Sequence, residues 1–479
     1  MTTGWRLQFA ILSSFLLFGT LMSTPKAAAE TLSTPPSNRP QGNPMHFGNG
    51  PSGSLLMVEE SNTLPVISVV LAARSGSASD PEKFEGLSNL AAEIARRGAA
   101  GSDRTELDNK LDDLGANLDA IVDADSARFV GRVLARNFDA FMDLLADIVL
   151  RPSFETNEVE RSRREMTAII SESRNDDRSL CERNFSLRLF GRHPYGQAPD
   201  GSEASIARIS LPQLKQHFHH QFSGKNVIFG AAGDITMESF SAAVNARFAK
   251  LPEGKDLTLR SPTALAPQGW RIQLVDKPDR QQVQIMFGHL AIPASDPDYV
   301  ALQIGLTSFG GHMMNATLMN EVRTKRGWAY GAYMNTIPHP IVSVLRGWVF
   351  TGVENAVDTL KLVLRLYGKL ADKPLTDDTI SFSGKFLAGS YGSDLDTPAA
   401  RLGRRIGGEI QGLPRDFIDI FADRVRATSP EAVRAALAKH LHPKDLAITL
   451  VATASVLLPK LKAAGIKESS IDVTPYTSH

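Results

Sequence analysis

The sequence predicts an α+β protein built from two similar halves, and three observations lead there. Length is the first: 479 residues exceed what one hydrophobic core holds, because single cores stop growing at about 250–300 residues. The second is an internal echo, in which Ala78-Ser79-Asp80-Pro81 returns as Ala294-Ser295-Asp296-Pro297. The third is the order of periodicities after each copy, which is the same in both and reads as duplication of one α+β unit.

Each element follows from local pattern. The β-branched run 64–74 predicts a half-buried strand. In each echo the aspartate and proline predict a helix start, since aspartate accepts from free amides and proline has no amide to leave unpaired. After the first copy the pattern predicts helices over 87–97 and from 105, then strands over 116–122 and 127–134. Helices over 138–150 and 158–174 complete the unit. After the second copy come helices to 307 and over 316–326, strands over 329–335 and 342–351, and a helix over 353–370. Residues 253–269, rich in proline, glycine and serine, predict a linker between halves spanning 54–252 and 270–470.

Composition narrows the function. Lys+Arg and Asp+Glu are equal at 52 each, so no global field draws the chain to nucleic acid or anionic lipid, and neither is expected as a partner. Arg6, an apolar stretch over 9–22 and Ala27-Ala28-Ala29 read as a secretory signal over residues 1–29. That stretch is shorter than the roughly 20 residues of a membrane span. An exported, soluble, periplasmic protein is expected, with no membrane span. Residues 30–53, rich in serine, proline, glycine and asparagine, read as a flexible leader. Cys181 stands alone, which excludes an intramolecular disulfide and suits a small core residue.

Three segments carry a family resemblance. They are Arg192-His193-Pro194-Tyr195-Gly196 with Asp200-Gly201, Ala231-Ala232-Gly233-Asp234, and Leu318-Met319-Asn320-Glu321-Val322-Arg323-Thr324-Lys325-Arg326-Gly327-Trp328-Ala329-Tyr330. In this order and spacing the chain resembles the inverted-zincin metallopeptidases, the pitrilysin/insulinase family to which mitochondrial processing peptidase belongs. The resemblance implies that each half is a mostly antiparallel sheet covered by helices. It also implies that the halves enclose a chamber for extended peptides.

Active members of that family carry His-x-x-Glu-His, whose histidines lie one helical turn apart and bind zinc while the glutamate activates water. Here Asn89 and Glu93 stand at the histidine positions and Ala92 at the glutamate position. No histidine occurs between His46 and His193, so no shift of alignment restores the motif. Glu165 and Glu172 keep the family's Glu-x(6)-Glu spacing, and Glu172 matches the third zinc ligand. Seven residues are two helical turns, so both carboxylates share a face. Without histidines they read better as a solvated acidic face than as ligands. No metal and no catalytic residue is expected in this chain. A hard cation held by Asn89, Glu93 and Glu172 is an alternative. His217, His219 and His220 read as solvated or locally hydrogen-bonded, and His193 as ordering its turn.

The second half matches the family where the first does not. Arg323 and Tyr330 correspond to its arginine–tyrosine pair, which engages substrate near the zinc of the other half. A guanidinium can donate to peptide carbonyls and a phenol to an oxyanion. The resemblance therefore implies a non-catalytic, substrate-binding subunit of a heterodimeric periplasmic peptidase. Its zinc is expected in a homologous partner and its substrates are extended peptides. A peptide-binding or scaffold protein with no proteolytic role is the alternative, and an autonomous metallopeptidase with an unusual site is a third.

Overall fold

A computed structural model describes residues 42–257, 268–311 and 314–478. The expected signal over 1–29 and residues 30–41 of the expected leader lie outside the described residues, as does 258–267 of the expected linker. Among the described residues no helix is long and apolar enough to cross a membrane.

Two six-stranded mixed sheets form the frame. In the first half the strands are β1 (Met45–Asn49), β2 (Leu55–Glu60), β3 (Val66–Ala73), β4 (Asn117–Val122), β5 (Ala127–Leu134) and β6 (Val227–Gly233). In the second they are β7 (Arg271–Asp276), β8 (Gln282–Ala291), β9 (Ala329–Pro338), β10 (Ser343–Gly352), β11 (Ala447–Ala452) and β12 (Ile471–Pro475). The sheet orders are β1-β2-β6-β3-β5-β4 and β12-β7-β11-β8-β10-β9. Five strands of each sheet correspond one to one. In both, an outer strand runs parallel to the strand that ends the half (β2 with β6, β7 with β11), and the remaining three pairings are antiparallel. The sixth strand differs: β1 is antiparallel to β2, whereas β12 is parallel to β7. The duplicated α+β architecture is therefore visible in topology.

Helices cover these sheets in an exchanged manner. Five matter here: α1 (Leu87–Ala95), α2 (Thr156–Ser173), α3 (Asp177–Phe190), α4 (Leu211–Gln221) and α5 (Pro398–Ile410). Helices of the same half cover one face of each sheet, and a helix lent by the other half lies on the opposite face. Leu402, Ile406 and Ile410 of α5 pack on Met57, Val70, Ala72, Ile228 and Ala232 of the first sheet. A side chain at Gly230 would come within 2.9 Å of Leu402 and Ile406, so glycine there lets α5 sit close. Reciprocally, Leu180, Cys181, Phe185 and Leu189 of α3 pack on Val275, Met286, Val344 and Val451 of the second sheet. Central strands covered on both faces read as continuous apolar runs, and every residue of β6 and β11 is buried.

A buried ion pair anchors one side of this exchange. Arg401 of α5 grips Glu59 of β2 bidentately, Nε to Oε1 at 2.9 Å and Nη2 to Oε1 at 2.6 Å, with Nε also 3.1 Å from Oε2. Its Nη1 donates to the Leu395 carbonyl at 2.6 Å. Both side chains are at least nine-tenths buried. On the other side, Lys277 donates to Asp177 at 2.6 Å and Arg188 pairs with Asp472 at 2.8 Å.

Several expectations are corrected. The expected leader includes ordered chain: Met45 and Phe47 alternate toward the α5 interface, so residues 45–49 add a strand to the sheet. The second half continues past residue 470 into β12, where the Thr474 hydroxyl meets the Gln273 amide at 3.0 Å. Asp80 caps α1, but from seven residues before its start, through the Gly86 and Ser88 amides, both at 2.9 Å. Gly86, with φ of 91°, makes the turn into the helix. The helix expected over 316–326 is instead a π-helical turn, Met319–Thr324.

Arg401→Met alone should leave Glu59 buried and unpaired and cost about 3–5 kcal/mol in denaturant unfolding. The double substitution Glu59→Leu/Arg401→Met should recover most of that loss. A single-mutant cost below about 1 kcal/mol would show that the pair does not anchor the interface.

Candidate functional site

The position matching the family's zinc site is occupied by an internal cation. Asn89, Glu93 and Arg97 are spaced four apart and share one side of α1 and its final turn. Arg97 is only 4% exposed. Its Nη2 lies 2.7 Å from Glu93 Oε1 and 2.5 Å from Glu165 Oε2 on α2, and its Nη1 is 3.8 Å from Glu158. Arg161 holds the other oxygen of Glu165 at 3.0 Å. Burial works against charge on both Arg97 and Glu165. The mutual hydrogen bonds prevail, holding the arginine above its usual range and the carboxyl below its own.

The remaining positions are equally committed. Asn89 donates its amide to Asp200 Oδ1 at 2.6 Å. Burial raises the Asp200 carboxyl, partly opposed by Arg183 and by that hydrogen bond. Ala92 is a buried methyl. Glu172 is exposed and stands outside the Arg97 cluster, so the structure gathers Glu93 and Glu165 but not Glu172. Zinc asks for nitrogen or sulfur donors in a tetrahedron. A donating amide, a methyl and a carboxylate already held by guanidinium do not supply them. The donor set does not fit the ion. Among the described residues one other group is close enough to be considered, Asp296, Asp298 and His440 in the second half. There Lys439 and His440 each lie 2.8 Å from Asp298 Oδ2.

Sequence reasoning missed Arg97, although its spacing of four from Glu93 was a local signal. Asp80 was expected at a helix start and His217 in a local hydrogen bond, but nothing in the sequence brought the two together. At the start of α1 the Ser88 hydroxyl lies 2.5 Å from Asp80 Oδ1 and 2.8 Å from His217 Nε2 of α4. Burial pushes Asp80 up to about 7 and His217 down to about 4. His217 thus has an acidic neighbour, at 3.4 Å, from a distant part of the chain. His193 orders its turn by accepting the Tyr195 amide at 3.2 Å.

The second half presents the opposite situation. The turn Met319–Thr324 is π-helical, with the Lys325 amide on the Asn320 carbonyl at 2.9 Å, five residues back. Single π turns are a recurrent feature of functional sites. Gly327, at φ 66°, reverses the chain into β9. There Ala332 faces Val349 and Ala329 faces Thr351, so β9 carries one extra residue and Tyr330 and Gly331 stand opposite Phe350. Such a bulge re-aims a side chain. Tyr330 consequently escapes the buried face that strict alternation would give it and is 74% exposed. Arg323 lays its guanidinium 4.6 Å from the centre of the Tyr330 ring, a cation–π contact that orients both. Among the described residues neither the guanidinium nor the phenol has a hydrogen-bond or ion-pair partner. In the first half Arg97 holds the carboxylates of Glu93 and Glu165 while its Nη1 is buried without a hydrogen-bond partner among the described residues, and the pair in the second half is open.

Comparison with known proteins finds matches to both halves. Residues 56–198 match the model described as Insulinase (Peptidase family M16). Residues 208–381 match the Peptidase M16 inactive domain. A Helicobacter pylori protein named non-peptidase homolog YmxG is 22% identical over 397 residues, covering 83% of this chain and 91% of its own. The crystal structure of a peptidase M16 inactive domain from Pseudomonas fluorescens superposes with a TM-score of 0.80 at 26% identity, covering 85% of this chain and 97% of that one. The periplasmic protease PqqL from Escherichia coli gives 0.71 at 13% identity over 89% of this chain and 50% of its own, a likeness of fold. With both halves matched in sequence order, the chain belongs to peptidase family M16, the insulinase family.

Proposed function

We propose that this chain is the non-catalytic, substrate-binding subunit of a periplasmic heterodimer, and that Arg323 and Tyr330 complete the substrate site of a homologous zinc-bearing partner. One observation carries the reading. Arg97 holds the first-half carboxylates of Glu93 and Glu165, while the arginine–tyrosine pair is assembled, with Tyr330 exposed and Arg323 half-buried, and has no hydrogen-bond or ion-pair partner among the described residues. A side-chain pair kept by a π turn and a bulge, yet satisfied by nothing among the described residues, suits contact with another molecule. The inactive-domain match and the non-peptidase relative support a chain with no chemistry of its own. Export rests on the signal-like residues 1–29.

Arg323 would donate to a carbonyl of the bound peptide and Tyr330 to the oxygen that gains charge as the carbonyl is attacked. Charged hydrogen bonds of this kind contribute about 1.5–3 kcal/mol. In the purified pair, Arg323→Ala and Tyr330→Phe should each lower kcat/KM more than about tenfold while zinc content of the complex stays constant. Equal turnover by wild type and the double variant would sink the assignment. The chain alone, dialysed against zinc, should retain no stoichiometric metal and cleave no peptide. Zinc-dependent turnover by the isolated chain would instead establish an autonomous peptidase. Peptide capture without any zinc-bearing partner co-purifying would favour a binding protein with no proteolytic role.

A further inference from the structure

Next to the Arg323–Tyr330 pair, the second sheet carries a platform of aromatic rings and guanidinium groups. Trp348 and Phe350 lie on the same face of β10, ring centroids 5.4 Å apart. Tyr333 of β9 is directly opposite Trp348 in the strand register, its ring 6.2 Å away and within 13° of parallel. All three rings are half-buried. A side chain at Gly331 would come 2.7 Å from the Tyr333 ring, so glycine there lets that ring lie back along the strand toward Tyr330. The Trp348 indole is held in place by its N–H, which donates to Gln284 Oε1 at 2.9 Å. Arg178, in the first turn of α3, lays its guanidinium over the indole at 4.2 Å.

The charges around this platform do not cancel. Arg346, on the same face of β10, is paired with Glu182. Asp177, beside Arg178 in sequence, is taken by Lys277 at 2.6 Å and Arg280 at 3.5 Å. Arg178 itself is exposed and has no carboxylate partner among the described residues. Burial, and then the nearby charge of Arg178, push Arg346 down to about 10. A guanidinium stacked flat on an indole keeps its N–H edge free, in the plane that suits a carboxylate.

We infer that this platform is a subsite for an acidic side chain of an extended peptide, with Arg178 taking the carboxylate and a neighbouring apolar residue lying on the Tyr333, Trp348 and Phe350 rings. The inference rests on the reading of the chain as a substrate-binding subunit and adds a sequence preference to it. Single-stranded nucleic acid also stacks on rings beside arginines, but it needs a cationic track along its backbone. Here the formal net charge is zero, and Arg346, Lys277 and Arg280 are already paired with carboxylates. β9 is moreover the outermost strand of its sheet, an edge that suits an extended peptide.

The test uses the full chain and labelled peptides identical except for one central residue, Glu, Gln or Lys, followed by Leu, together with an oligothymidylate. Anisotropy and tryptophan fluorescence report binding. The Glu peptide should bind about tenfold tighter than the Gln peptide, and more weakly as salt is raised. Arg178→Gln should abolish that preference without changing the unfolding midpoint, since the side chain is exposed. Trp348→Ala should weaken all the peptides. If the Gln or Lys peptide binds as tightly as the Glu peptide, or Arg178→Gln keeps the preference, the acidic subsite is overturned while peptide binding stands. Tighter binding of the oligothymidylate would overturn it in favour of nucleic acid. Binding of no peptide at all would overturn the subsite and the substrate-binding reading together.

Discussion

A sheet that is apolar on both faces needs cover on both, and here neither half supplies all of its own. α5 fills the outer face of the first sheet with Leu402, Ile406 and Ile410, and α3 fills that of the second with Leu180, Phe185 and Leu189. Burying each such side chain is worth about 1.5–3 kcal/mol, so separating the halves would forfeit a sum comparable to the whole stability of a domain. Apolar burial is not directional, and the Glu59–Arg401 pair adds what it lacks. Its bidentate geometry is met at one position of α5 along β2, so the exchange has a register as well as an affinity.

That rigid frame bears on both sites. α1 is held at its start by Asp80 and at its end by Arg97, which joins it to α2 through Glu165. A divalent ion and a guanidinium can play a similar structural role between two helices, drawing carboxylates together. They differ in chemistry, because the guanidinium cannot acidify a bound water as zinc does. The site retains the cohesion of a metal centre without the donor set that zinc asks for. In the second half a π turn and a bulge serve the opposite end, keeping Tyr330 out of the core beside Arg323.

How much of this was legible in the sequence depends on the range of the interaction. Strand 127–134 and helix 138–150 follow from local periodicity alone and coincide with β5 and the helix Phe138–Leu150. β1 was missed because Met45 and Phe47 are its only apolar signal, set among glycine and asparagine, and its pairing depends on β2. The apolar stripes of α3 and α5 announce burial but not against which sheet. At the candidate site, loss of the zinc ligands was readable because the chain has no histidine between His46 and His193. The replacement cation was not readable, since Arg97 and Glu165 are 68 residues apart. The ring platform depends on strand register, and no spacing in one segment encodes it.

The Glu59–Arg401 contact spans 342 positions of sequence, which has a consequence for how the protein comes into being. The first sheet can assemble as soon as β6 has been made, yet its outer face stays bare until residues 398–410 emerge. From Gly233 until Pro398, roughly a third of the sequence, the chain therefore carries a completed but uncovered apolar surface, the kind that aggregates or recruits a chaperone. Folding is gated by the arrival of one late helix, and a chain truncated before it would keep a whole first half with nothing to shield it.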